Sequence, residues 1–274
     1  MNGPGWQEQG IVFNCGDNNL VGIAALPQAD SDIGVIILVG GPQYRVGSHR
    51  QFTLLARDLA QAGIPSLRFD YSGMGDSDGE QVAFSDVRAD VFAAIDAFQK
   101  IAPGVRRIVL WGLCDAASTA MMFAHQHDAV HGLVLLNPWV HGDEHSPGVK
   151  LSHYYRPLLA ARENWGRLLA GDIKLRPAVA EFLSSSLRSM LGFFGISRSS
   201  WRHSFVQQMF LGFQSSSRGS LVILSQNDLT AQEFSSLLDV DRAWRSVVSR
   251  DAVSTHTVTG ADHTFSSRVT MQQV

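Results

Sequence analysis

Cysteine is scarce in this chain: Cys15 and Cys114 are the only two in 274 residues. Thiols so far apart exclude a disulfide framework, and a reducing, cytoplasmic setting is expected. Excess charge of one sign is also missing. The formal net charge is −3 and the basic residues are scattered, which excludes the electrostatic footprint of a nucleic-acid or anionic-membrane binder. No apolar run approaches the length that crosses a bilayer. The start, MNGPGWQEQG, has neither a basic nor an apolar leader segment, so no signal peptide is expected. Internal repeats and low-complexity tracts are absent. What is left is an ordinary globular composition with ample length for a large core.

Periodicity then gives the elements. Residues 11 to 26 read as a hairpin around Gly16-Asp17-Asn18-Asn19. GVIILV, residues 34 to 39, is a buried strand that breaks at Gly40-Gly41-Pro42. A helix over 50 to 62 ends at Gly63. A strand over 64 to 69 leads into a glycine-rich loop over 70 to 79, and a second helix runs from Asp86 to Gln99. Strands at 108 to 111 and 133 to 136 follow, with a helix between them. Regular alternation of strand and helix predicts βαβ units and a mainly parallel sheet with helices on both faces. The pattern lapses between 141 and 217, and resumes with LVIL at 221 to 224. A helix with Thr230 and Glu233 spaced as a capping box and a strand over 255 to 258 complete the chain. The expected domains are a core of 1–140 with 218–274 and a helical cap of 141–217. Such a cap would lie over the sheet edge where open α/β folds bind ligands, with Trp165 and Phe193-Phe194 shaping the pocket.

The organising stretch is RIVLWGLCDAASTAMM, residues 107 to 122. Its first part is a continuous apolar run and its last part is helix-forming. Between them, Gly112-Leu113-Cys114-Asp115-Ala116 is small-x-nucleophile-x-small. A sharp strand-to-helix turn crowds the backbone two residues either side of its apex, so small residues are needed there. The apex side chain is pushed above the sheet edge. A buried free Cys is often an inert small hydrophobe, so partners must decide what Cys114 does.

A thiol nucleophile needs a base and a group that orients the base. In this kind of fold the chain order is nucleophile, acid, base. Asp228, in SQND beyond LVIL, fits the acid, and His263, after TVTGAD, fits the base. Asp262 or Asn227 could replace Asp228, and Asp228 could be only a turn or helix cap. An oxyanion hole needs two converging N–H groups. Asp115 N–H is one. Pro42 has no N–H, so Gly41 or Gln43 must supply the other, and Gly41 is favoured. The Asp115 carboxylate is expected to point away.

Three other features carry less. Asp70-Tyr71-Ser72-Gly73-Met74-Gly75 lacks the G-x-G-x-x-G spacing of a dinucleotide loop. His141, His145 and His153 could be ligands, but HGDEHSP contains Gly and Pro, so its two histidines do not share a helical face and no metal is expected. Cys15 has no base near it in sequence and reads as structural.

Together these residues resemble the α/β-hydrolase superfamily, with DYSGMGDSDG similar to its loop after the third core strand. GGPQYRVGSHRQF, RFDYSGMGDSDG, WGLCDAAS and ADHTF resemble the exosortase A system-associated hydrolases of type 1. That resemblance implies a bacterial cytoplasmic hydrolase linked to exopolysaccharide and exosortase functions. The chain departs from the wider superfamily at three places. Cys114 replaces Ser, as in dienelactone hydrolases; Gly40 stands where many members have His; Ala116 replaces the second Gly.

The expected function is attack by Cys114 on an ester, thioester or lactone carbonyl of a small-molecule substrate, without cofactor or metal. His263 would move the proton and Asp228 would orient His263. Acyl transfer uses the same intermediate. Two rivals differ in class. One is a non-catalytic module that binds an acyl group or a partner protein. The other is a redox sensor, which requires Cys15 within reach of Cys114.

Overall fold

The computed structural model describes residues 5–41, 43–140 and 205–274. The chain divides into two units, Met1–Val140 with Phe205–Val274, and His141–Ser204. The second falls outside the described residues, and with it the expected cap, including Trp165, Phe193, Phe194 and the three histidines. The helix α4 (Phe205–Ser215) belongs to the first unit rather than to the insertion expected through residue 217. Its Val206, Met209 and Phe213 are buried. Gly212 brings it so close to the helix α3 (Asp115–Phe123) that a Cβ there would sit 2.5 Å from the Met121 carbonyl oxygen.

One eight-stranded sheet forms the unit. The strands β1 (Trp6–Cys15) and β2 (Asn18–Pro27) make the antiparallel hairpin at one edge. β3 (Ile33–Leu38), β4 (Ser66–Phe69), β5 (Arg107–Leu113), β6 (Val130–Leu136), β7 (Gly219–Ser225) and β8 (Val253–Val258) complete it. The spatial order is β1-β2-β4-β3-β5-β6-β7-β8. β2 meets β4 antiparallel, and every later pairing is parallel. The chain thus has the mainly parallel sheet that strand–helix alternation predicted, in the α/β-hydrolase architecture that the resemblance implied.

Successive strand residues point to opposite faces. In β3, Gly34 through Leu38 are all buried, so helices cover both faces there, and continuous apolar runs are what such strands require. The helix α2 (Arg88–Ile101) buries Val91, Ala94, Ile95 and Phe98. It lies so near β3 that a Cβ on Gly34 would fall 2.6 Å from the Phe98 ring. The helix α1 (Gln51–Gln61) buries Phe52, Ala56 and Ala60. Phe52 meets Trp111 of β5 edge-on, with ring centroids 5.7 Å apart.

Two helices after β7 differ from expectation. α5 (Leu229–Val240) begins at Leu229 with Asp228 as its N-cap, so Thr230 lies inside the first turn and does not cap it. α6 (Arg242–Val248) is capped by Asp241 and buries Trp244; its seven residues were too short for periodicity to reveal. A four-residue helix, α7 (Arg268–Met271), ends the chain.

Candidate active site

Parallel strands bring their C-terminal ends to one edge, where loops rather than ladder bonds fix the geometry. β3 delivers Gly40 and Gly41 there, β5 delivers Cys114, β7 delivers Asp228 and β8 delivers His263.

Cys114 sits at the apex of the β5–α3 turn with φ 64 and ψ −125. That conformation is strained for a non-glycine residue and costs on the order of 1–3 kcal/mol, so the surroundings must impose it. The Cys114 N–H donates to the Leu136 carbonyl at 2.9 Å, and its carbonyl accepts the Trp139 N–H at 3.2 Å. The crowding at this turn is real. A Cβ on Gly112 would lie 2.6 Å from the Ala116 carbonyl, which explains the small residue two before the apex.

His263 Nδ1 lies 3.0 Å from Asp228 Oδ1. The Cys114 thiol lies near enough to the same ring to influence its charge. Asp228 first, then Cys114, holds the imidazole well above its ordinary value, at about 10, against the opposing effect of burial. The three residues expected to act together are thus neighbours. Asp262 is committed elsewhere: it is half-buried and accepts the Ser266 N–H at 2.9 Å and the Ser266 hydroxyl. Those bonds hold its carboxyl below the usual range. Asn227 donates its N–H to the Ala261 carbonyl at 2.9 Å.

Asn137 directly follows the strand read at 133 to 136, and sequence reasoning gave it no role in the site. It is fully buried and left-handed, with φ 44. Its Oδ1 accepts the Ser225 N–H at 2.8 Å, and its Nδ2 donates to the Ser225 hydroxyl at 3.0 Å and to the His263 carbonyl at 3.3 Å. It ties the ends of β6 and β7 to the histidine loop. Asn tolerates left-handed backbone better than most residues, and that preference was the one available signal.

The oxyanion loop differs from expectation. The Gly41 N–H donates to the Asp115 carboxylate, 2.8 Å from Oδ1 and 3.0 Å from Oδ2. The carboxylate therefore turns toward the loop rather than away from it. Gly40 makes this possible: a Cβ there would fall 2.6 Å from Asp115 Oδ1 and 2.4 Å from the Leu113 carbonyl.

The loop after β4 explains its own glycines. Asp70 is buried and accepts the N–H groups of Arg45, at 2.6 Å, and of Asp76, at 3.1 Å. It also pairs with the Arg45 guanidinium, which reaches Asp76 at 2.5 Å. Gly75 is left-handed, and a Cβ on it would collide with the Asp70 carboxylate at 2.2 Å. The loop anchors the segment after Gly41 through Arg45. Among the described residues no cluster of His, Cys, Asp and Glu could hold a metal, and no helix is long and apolar enough to cross a membrane.

A core sheet with this order, and a strained strand-to-helix turn at Cys114 beside a histidine and an aspartate, define an α/β-hydrolase. The sequence profile of the family described as serine aminopeptidase, S33 (Hydrolase_4) matches residues 33–186, more than half of the chain, and the protein belongs to that family. Among curated proteins no sequence matches. Solved structures share the fold at low identity. An esterase of Pyrococcus furiosus, Pf2001, superposes with TM-score 0.64 at 17% identity, over 98% of this chain and 87% of that one. Est1E of Butyrivibrio proteoclasticus, with ferulic acid bound, gives 0.61 at 13%, over 96% and 95%. A dienelactone hydrolase of Anabaena variabilis gives 0.57 at 14%, over 98% and 93%.

Proposed function

We propose that this hydrolase is a thiol-dependent esterase, thioesterase or lactonase acting through Cys114, His263 and Asp228. The observation that carries this is the one imidazole shared between the Cys114 thiol and the Asp228 carboxylate. In this reading His263 takes the Cys114 proton, and the thiolate stands at the start of α3, where backbone N–H groups favour negative charge. The thiolate attacks the carbonyl carbon and the oxygen becomes an oxyanion. Collapse expels the alkoxide or thiolate, which takes the proton from His263, and an acyl-thioester on Cys114 remains. Water then attacks that thioester, giving its proton to His263. Collapse frees the carboxylic acid and returns the thiolate. An alcohol or amine in place of water gives acyl transfer by the same route.

A thiolate is a good leaving group, so an amide intermediate tends to expel sulfur rather than amine. Activated acyl groups are therefore favoured over peptides, although the family description names an aminopeptidase. The segments around Gly41, Asp70, Cys114 and His263 support the narrower placement among exosortase-associated hydrolases, and the free thiols Cys15 and Cys114 fit a cytoplasmic setting. One observation favours a non-catalytic module instead: Asp115 already engages the Gly41 N–H.

Thiol labelling separates these readings. The Cys15 thiol is pushed up to about 11, by burial first and then by Asp90. Iodoacetamide at pH 7, followed by peptide mass spectrometry, is expected to modify Cys114 well before Cys15, and His263→Ala to slow it. Parallel screening of p-nitrophenyl esters and acyl thioesters of graded length should find turnover that Cys114→Ala abolishes. Equal labelling of both thiols together with no turnover would defeat the proposal.

A further inference from the structure

The Asp115 carboxylate occupies the position that catalysis needs vacant. The Gly41 N–H reaches both of its oxygens. The N–H groups of Ala116 and of Asp115 itself also favour its charge. These are the groups at which a substrate oxyanion would be held under the reading above, on which this inference rests. The carboxylate has room only because residue 40 has no side chain. Among the described residues, its chain neighbours aside, nothing lies within 4 Å of a Cβ placed on Gly41.

Among the described residues, three titratable groups stand near Asp115. His263, from the loop after β8, is a cation whose field favours the carboxylate. Tyr71, from the loop after β4, is a buried phenol without a hydrogen-bond partner among the described residues, and the Asp115 charge raises it further. Cys114 precedes Asp115 directly. Burial is the largest influence on Asp115 and holds its carboxyl above the usual range, ahead of the N–H groups that oppose it.

We propose that Asp115 is an internal occupant of the oxyanion cradle, which fills the place of the substrate carbonyl oxygen in the free enzyme and must lose its charge or swing out before turnover. An oxyanion beside an ionised Asp115 would meet like charge at close range, in a site where water screens little. The same contact keeps the Gly41 loop in its ligand-ready shape while no substrate is bound. Asp115 is thus a positioning residue that competes with substrate. This reconciles a cradle that is formed with an N–H that is engaged.

The test uses butyraldehyde, which adds reversibly to the Cys114 thiol and places its oxygen in the cradle. Protection of Cys114 from iodoacetamide gives the half-protecting concentration without any need for turnover. Asp115→Ala is expected to lower that concentration about tenfold relative to the unsubstituted protein. Asp115→Asn, which keeps the shape and an acceptor but no charge, should fall between them and guards against a folding defect. The ratio of unsubstituted protein to Asp115→Asn should widen as pH rises, because only the former gains a charge at residue 115; every other titratable group is common to both proteins. Turnover of p-nitrophenyl butyrate should rise in the same order. Aldehyde binding equal or weaker in both variants, or a ratio flat with pH, would overturn the occupant role even if all three proteins turn over ester. Tighter aldehyde binding with no ester turnover in any protein would instead leave the occupant role standing and remove the hydrolytic reading.

Discussion

Asp228 faces His263 with one carboxylate oxygen, 3.0 Å from Nδ1, and caps α5 with the other, 3.1 Å from the Ala231 N–H. The two roles read as alternatives in sequence, a catalytic acid or a helix cap, and they are compatible in space. A residue that ends a strand and starts a helix has extended backbone, here φ −123 and ψ 132, and its short side chain can satisfy the helix while pointing one lone pair outward. The cap fixes the carboxylate, and the fixed carboxylate orients the imidazole.

The two roles separate by substitution. Asp228→Asn keeps an oxygen for the Ala231 N–H but presents the wrong partner to Nδ1, so turnover should fall about 10²–10⁴-fold with little change in unfolding free energy. Asp228→Ala should lose both, with a further stability cost of about 1 kcal/mol for the missing cap. Ester turnover and urea unfolding on the same samples check this. A variant pair with equal stabilities would mean that the cap contributes nothing.

The legible parts of this fold were those set by period and by crowding. Apolar runs such as GVIILV and LVIL are strands because both faces are covered. Gly112 and Ala116 flank Cys114 because backbones collide there. The order Cys114, Asp228, His263 was readable because parallel strands send successive loops to one edge. Side-chain direction was not readable. Nothing in the sequence said that Asp115 would turn back onto Gly41, since that depends on the missing Cβ of Gly40, 75 residues away from it in sequence. Nor could periodicity place Arg45 against Asp70, or Asn137 under the His263 loop. Each is a long-range polar contact of a residue in irregular backbone.

Stability should depend on pH through His263. Its imidazole is held at about 10 in the folded chain, against roughly 6.5 when unfolded. A group with a higher folded value adds stability that is complete below the unfolded value and disappears as pH climbs through the folded one. The melting temperature should therefore exceed that of His263→Ala by most at pH 6, and the gap should narrow steadily toward pH 10. The ring is partly exposed, 37% for its side chain, so solvent weakens the effect and the trend with pH, more than its size, is diagnostic. A gap constant across that range would mean that the imidazole is neutral in the folded protein.

Arg45 and Asp70 set the position of the loop that carries Gly41. The Asp70 side chain is fully buried, while that of Arg45 is 14% exposed. Removing one member of a buried pair leaves a charge without its partner, at a cost of about 3–5 kcal/mol. Arg45→Ala should sit at the low end, near 3 kcal/mol, because Asp70 keeps the N–H groups of residues 45 and 76. Arg45→Met combined with Asp70→Asn removes both charges and preserves volume, and should recover most of that loss, since a buried ion pair contributes little beyond an apolar replacement. Urea unfolding of Arg45→Met, Asp70→Asn and the double variant gives the coupling energy directly. Additive losses would mean that the two side chains act independently. Recovery of stability without recovery of ester turnover would show that the guanidinium, through its bond to Asp70 and its reach to Asp76, holds the Gly41 loop in the shape that catalysis needs.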